Sequence, residues 1–328
     1  GYWLADGLRW SHLRMEDAVV NWLAELLQAD ADPYRTRTAI GEVGDLKSSG
    51  RIQIRARFDE TPRLPLLLRA ATYDRYYDGT WLATASPFEG LLLEGEHWPL
   101  PGTGDAPQQA RLWLQLRKGQ GLLPLPPGPL RIQGLEGAAL DRNPFGTVKI
   151  EGGPPLAEYG VRFGARAQLA PPGPADLKVP AGHWESLDRV LEDNGLTDLP
   201  PREAMGRIDR LFREHFSYSL DLAEPPADTP PLAWFLLDER RGHCEYFASA
   251  AALLLRRAGI PTRYARGWSM QEYSGLERAW VARDRHAHAW VLVWQGNRWQ
   301  PFDPTPPDWA ELEAEDIPWW TGTHDLFQ

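Results

Sequence analysis

Residues 240–261 read "RRGHCEYFASAAALLLRRAGIP" and contain Cys244, the one cysteine of the 328-residue chain. From Cys244 onward, Phe247, Ala250, Ala251, Leu254 and Leu255 recur at helical spacing. The end signals agree: Arg256-Arg257 in the last turn, Gly259 just past it and Pro261 beyond. Cys244 therefore falls in the first turn, where unpaired N–H groups and the helix dipole favour negative charge. A thiolate is the reactive form of cysteine and is stabilised at such a position. Gly242, lacking a Cβ, leaves room for a substrate backbone, and the helix start supplies N–H donors for an oxyanion. Free cysteines are also among the most buried residues. Taken alone, the stretch supports a nucleophile and a core residue equally.

A second stretch, "RHAHAWVLVWQGNRWQPFDPTP" (285–306), weighs on that choice. Two apolar runs flank "QGNR", which reads as a β-hairpin. If Gly296-Asn297 form a two-residue loop, Gln295 pairs with Arg298, Trp290 falls opposite Asp303, and His288 falls opposite Thr305. His288, Trp290, Asp303 and Thr305 then share one face, with His288 and Asp303 as diagonal neighbours within side-chain reach. A carboxylate there can fix the tautomer of the imidazole. His286 shares the face, so either histidine can serve Cys244, and spacing from Asp303 favours His288. A thiol at a helix start with a His–Asp hairpin in one domain is a nucleophile–base–orienter set. By itself, a His–Asp diagonal is more often a solvated pair.

Working outward, Met15, Val19, Trp22, Leu23, Leu26 and Leu27 predict a helix over 12–28. Period-two alternation predicts strands at 52–58, 112–117 and 161–168, separated by turn-rich stretches such as "DGT" (78–80). The proline run "PLPPGPL" (124–130) reads as a rigid loop in preference to a ligand for a proline-binding module. "APPGPADLKVP" (170–180) reads as a linker. Beyond it, Trp184, Leu187, Val190 and Leu191 mark a helix closed by Asn194-Gly195, and Pro201 opens another carrying Met205, Ile208, Leu211 and Phe212. The expected organisation is an N-terminal helical segment (1–38), a β-rich domain (39–172, a sandwich or barrel) and an α+β domain holding the cysteine helix (173–328).

Hydrophobic residues make up 43% and charged residues 24% of the chain, enough to bury a sizeable core. A net charge of −10 argues against nucleic acid as a partner, because a backbone binder needs a basic face. A single cysteine excludes an internal disulfide. The apolar run near Phe247–Leu255 falls well short of the ~20 residues of a membrane span. Only Lys47, Lys118, Lys149 and Lys178 are lysines, so arginine carries nearly all the positive charge. The chain opens on Gly1-Tyr2-Trp3 without a signal peptide, as a piece cut from something longer would.

At "GHCEYFASAAALLLRRAGIPTRYARGW", "HAW" (288–290) and "DPT" (303–305), the chain resembles the transglutaminase-like superfamily, over about residues 200–306. The resemblance implies a papain-like core, with the cysteine helix packed on an antiparallel sheet. It also implies Cys244 as nucleophile, His288 as general base and acid, and Asp303 as orienter. "FSYSL…FLLDERRGHCEYFASA" and "YYDGTW" are similar to bacterial multi-pass membrane proteins with an extracytoplasmic transglutaminase-like domain. That likeness implies a membrane-anchored parent and a periplasmic or other extracytoplasmic location. "PPDWAELEAED" after "DPT" departs from the expected Ala-rich continuation, and "WW" (319–320) reads as an interface anchor or as core.

The implied chemistry is acyl transfer from a glutamine carboxamide or peptide carbonyl through a thioester on Cys244, resolved by an amine or by water. The partner is then a protein or peptide substrate, and no metal or organic cofactor is required. The oxyanion donor expected is the Cys244 main-chain N–H, with Trp234 and Tyr218 as upstream side-chain candidates. Two readings compete. His243, Cys244, His286, His288 and Asp303 are ligand types zinc accepts, but nothing in their spacing makes them converge on a tetrahedron. A catalytically silent scaffold that binds a partner at the cell envelope would keep the fold without the activity.

Overall fold

Ile52, Ile54 and Ala56 are buried while the residues between them are less so, and the stretch forms the expected strand, β1 (Ile52–Phe58). The structure is a computed structural model that describes residues 36–315, apart from 48, 85 and 86. The helix expected over 12–28 and the Trp319-Trp320 pair lie outside the described residues. The fold is mixed α+β and rich in sheet.

Two antiparallel sheets organise the molecule. The other strands that matter are β2 (Leu66–Tyr73), β3 (Gln108–Gln115), β4 (Leu156–Phe163), β5 (Thr262–Met270), β6 (Ala279–Arg283), β7 (Ala287–Gln295) and β8 (Arg298–Phe302). The larger sheet has seven strands, with β6–β1–β3–β4 as consecutive neighbours. The smaller runs β8–β7–β5–β2. Both sheets draw strands from either side of residues 170–180, so pairings run across the boundary placed at 172/173.

The proline-rich stretch is not a free tether. Asp176 within it is buried and takes a two-pronged ion pair from Arg263 of β5, at 2.9 and 3.0 Å. That guanidinium lies between the rings of Phe145 and Trp299, 4.1 Å from each. The strand expected over 161–168 stops at Phe163, because Gly164 takes a positive φ of 97° and turns the chain.

The helical readings hold in position. Trp184–Asp193 forms α2 and Pro201–His215 forms α3, after a short α1 at Glu42–Leu46. Trp184 itself is exposed and lies against Arg257, off the apolar face assigned to it. Cys244–Arg257 forms α4, closed as expected: Gly259 (φ 79°) donates to Arg256 O at 3.0 Å and Ile260 to Leu255 O at 2.9 Å. Its apolar stripe is wider than the spacing implied. α4 is buried on nearly every side, between β7 and β5 on one side and α2 and α3 on the other. Even Arg256 is enclosed, its donors taken by the Thr262 hydroxyl and by the carbonyls of Lys178, Asp74 and Thr262.

Gly267 sits on β5 directly opposite His288 of β7, where β5 also meets β2 with a bulge. A Cβ at Gly267 would lie 1.9 Å from the Leu68 carbonyl oxygen, a backbone atom that cannot swing aside. Gly267→Ala is expected to destabilise the fold by ~2 kcal/mol or more, read as a lowered thermal midpoint. Unchanged melting would show that the sheet relaxes there freely.

Candidate active site

Cys244 is the first residue of α4. His243 before it is in an extended conformation (φ −97°, ψ 177°), and its carbonyl accepts from Tyr246 N at 2.9 Å. The N–H groups of the first turn have no carbonyl of an earlier turn to pair with. Gly242 does not provide the open space expected of it. A Cβ there would meet the Phe235 ring and Tyr246 Cβ at 2.9 Å each, so glycine is required by packing inside the protein.

The hairpin forms in the register derived from its turn. Gln295 pairs with Arg298, and the ladder continues to Val291 opposite Phe302. Gly296 and Asn297 both adopt positive φ (58° and 57°), which a two-residue hairpin loop of this hand requires. Past Phe302 the strand ends, and Asp303 turns to hold its own backbone, Oδ1 accepting from Thr305 N at 3.1 Å. Its other oxygen, Oδ2, accepts from His288 Nε2 at 2.7 Å.

The structure thus brings His288 and Asp303 together with Cys244. His288 is fully buried. Burial alone would lower its pKa, but the Asp303 carboxylate and then the Cys244 thiol outweigh that and raise it to about 9. Burial opposes ionisation of Asp303, and His288 and Thr305 more than offset it, holding the carboxyl below its usual range. With Nε2 committed to Asp303, His288 Nδ1 has no hydrogen-bond partner of its own among the described residues and is left for Cys244.

His286 is not part of this group. It ends a tight turn (Asp284–His286), its Nδ1 accepts from Arg283 N at 3.2 Å, and burial drives its pKa down to about 3. His243 likewise points away, packed on Tyr246 and Gly44, with its pKa lowered by burial to about 3. Of the five residues considered as zinc ligands, His243 and His286 therefore stand apart from Cys244, His288 and Asp303. Among the described residues, no group of three or more His, Cys, Asp or Glu is placed to hold a metal ion.

Around the site stand Tyr218, one of the two upstream oxyanion candidates, and several residues that were not singled out from the sequence. Ser217-Tyr218 pairs in parallel with Arg241-Gly242, which sets Tyr218 beside Cys244. The Tyr218 hydroxyl donates to Glu313 on α5 (Trp309–Glu315). Glu313 also pairs with Lys47 at 2.8 Å, and Lys47 Nζ lies 4.4 Å from the centre of the Trp309 ring. Trp309 stacks on His288, centroids 4.5 Å apart and planes 9° from parallel. On the other flank, buried Glu245 accepts from Gly41 N (2.7 Å) and Val43 N (3.1 Å), fastening the start of α1 beside the cysteine helix. The site is covered: Cys244 and His288 are both 0% exposed. Lys47 is one of four lysines in the chain, and no local spacing links it to Glu313, 266 residues away.

Residues 192–304 match the family model of the transglutaminase-like superfamily. The protein-glutamine gamma-glutamyltransferase of Pseudomonas aeruginosa is 26% identical over 284 residues, covering 81% of this chain and 40% of that protein. An uncharacterised protein of Bacillus subtilis, YebA, is 34% identical over 105 residues, 30% of this chain and 14% of that protein. The chain thus spans less than half the length of these two curated relatives. The crystal structure of the periplasmic domain of TgpA from Pseudomonas aeruginosa superposes with a TM-score of 0.61 at 21% identity, over 82% of this chain and 92% of that one. Among the described residues, no helix is long and apolar enough to cross a membrane. The covering residues Lys47, Trp309 and Glu313 all lie outside the matched segment.

Proposed function

We propose that this chain, which carries a transglutaminase-like domain in residues 192–304, is a cysteine acyltransferase that takes a glutamine carboxamide as donor. The observation that carries the proposal is the placement of buried His288, fixed by Asp303 through Nε2 and turned toward Cys244 at a helix start. A cationic imidazole beside a thiol favours the thiolate. The thiolate attacks the carboxamide carbon, and the tetrahedral oxygen is met by the main-chain N–H of Cys244. His288 donates its proton to the departing ammonia or amine, leaving a thioester on Cys244. An amine then attacks, giving its proton to His288, and the thiolate departs, which restores the thiolate–imidazolium pair. Water in place of the amine yields the carboxylic acid.

Tyr218 is a second donor to the oxyanion only after release from Glu313, because its one hydroxyl proton is used there. Substrate access to a fully buried sulfur requires the same release. We place the reaction on the extracytoplasmic side of a bacterial inner membrane, with a membrane-anchored parent. The likeness to a periplasmic domain and the length of the curated relatives support that placement. A silent scaffold is the second reading, favoured by the complete burial of Cys244 and His288.

The test is incorporation of a fluorescent primary amine into a glutamine-rich protein, with Cys244→Ala as blank. Cys244-dependent labelling supports transamidation. Ammonia release without labelling assigns deamidation, and backbone cleavage assigns proteolysis. No product, together with a thiol inert to iodoacetamide even after the cover is loosened, would favour the scaffold.

A further inference from the structure

The face of the smaller sheet that carries Trp290 and Leu292 does not pack on α4. Its apolar residues form a small cluster of their own, separate from the main core, with Trp299 and Leu67 against it. Over this face lies a cleft of about 650 Å³, walled by the Pro126–Pro129 loop, by residues 164–167 and by edge strand β8. That volume falls within the range of about 300–1,000 Å³ typical of small-molecule sites. Its chemistry is lopsided. Three guanidiniums line it, Arg69, Arg166 and Arg298, and no carboxylate does, although the chain as a whole is at −10.

No ion pair is formed by any of the three among the described residues. Arg69 spends Nη1 on the Thr72 hydroxyl and the Phe145 carbonyl, both neutral. Further positive charge stands behind it. Burial, then Arg142 and Arg263, lower the pKa of Arg69 to about 10. Arg263 is paired with Asp176, but its buried Nη1 has no partner among the described residues. An anion entering here would meet the enclosed guanidinium of Arg69, where water screens charge poorly, flanked at the cleft mouth by the exposed Arg166 and Arg298.

We propose that this cleft binds a small amphipathic anion: a carboxylate or phosphate-monoester head among Arg69, Arg166 and Arg298, and an aliphatic or aromatic body against Trp290 and Trp299. A planar guanidinium matches either head with paired donors. Concavity and size favour a small molecule over a peptide strand added to the edge of β8. Pro301 also leaves that strand short of one backbone donor. Trp290 lies between the cleft and the proposed base, its ring 6.3 Å from His288 and nearly parallel to it. The site is distinct from the one holding Cys244.

Titration calorimetry of the 328-residue chain with octanoate, octyl phosphate and neutral 1-octanol tests the assignment. The expected result is one site per chain for at least one of the two anions, with octanol at least tenfold weaker. Arg166 and Arg298 are exposed, so Arg166→Ala/Arg298→Ala should fold normally, which its thermal midpoint checks. The double variant should weaken the anion at least tenfold and leave octanol unchanged. The stronger of the two heads identifies the anion class. Equal binding of octanol and the anions, an unaffected double variant, or an acidic peptide that binds where neither amphiphile does would each overturn the proposal.

Discussion

Asp303→Asn is expected to reduce acyl-transfer turnover by about 10³- to 10⁴-fold, the scale associated with amidating the orienting carboxylate of such a triad. The asparagine oxygen can still accept from Thr305 N, so the turn after β8 survives and folding is little changed. The charge facing His288 Nε2 is lost. Burial then dominates and the ring deprotonates at lower pH than before, leaving no proton for the departing amine and no cation beside the thiol. In the unsubstituted chain, the His288 pKa of about 9 lies above its unfolded value near 6.5. The stabilisation from its interactions is therefore complete below about pH 6.5 and is lost as pH rises through about 9. Thioester formation should decline over that upper limb. A pH–rate profile that is the same in Asp303→Asn would remove Asp303 from the orienting role.

Loosening the cover should have the next largest effect, and in the opposite direction. Lys47 and Glu313 are almost wholly enclosed, with side chains 0% and 4% exposed, and their contact joins the segment before β1 to α5 across the site. Removing one partner of a buried pair typically costs ~3–5 kcal/mol, because the other charge is left unsatisfied. If α5 opens locally ahead of reaction, Glu313→Ala should raise the rate of Cys244 alkylation by iodoacetamide about a hundredfold or more. Lys47→Met tests the other side of the pair. A melting curve separates local opening from global unfolding, since only the latter lowers the midpoint in proportion to the labelling gain. Unchanged alkylation in both variants would show that substrate reaches Cys244 by another route.

The placing of Cys244, His288 and Asp303 was legible because each of its parts is local. Cys244 is placed by helix end signals within about twenty residues, and His288 and Asp303 by a two-residue turn that determines which residues face each other. The failures share the opposite cause. Gly242 was read as open space, but Phe235 and Tyr246 fill it from a wide turn upstream and from the next turn of α4. His286 shares a parity with His288, yet the chain leaves strand geometry at 284–286, where alternation no longer applies. The 170–180 stretch has the composition of a linker, and a single buried Asp176–Arg263 pair docks it instead.

By itself, then, the sequence determined the helix start at Cys244 and the hairpin register that sets His288 near Asp303, and its motifs carried the family likeness. The first two follow from spacings of a few residues within one helix or one hairpin. Only the tertiary structure decided that β1 and β2 complete sheets begun by residues beyond 260, and that Tyr218, Lys47, Trp309 and Glu313 close over Cys244. It alone showed three arginines from separate strands and loops facing one cleft. Contacts between residues up to hundreds of positions apart are selected by how whole elements pack and where buried charges find partners, and no local periodicity records that selection.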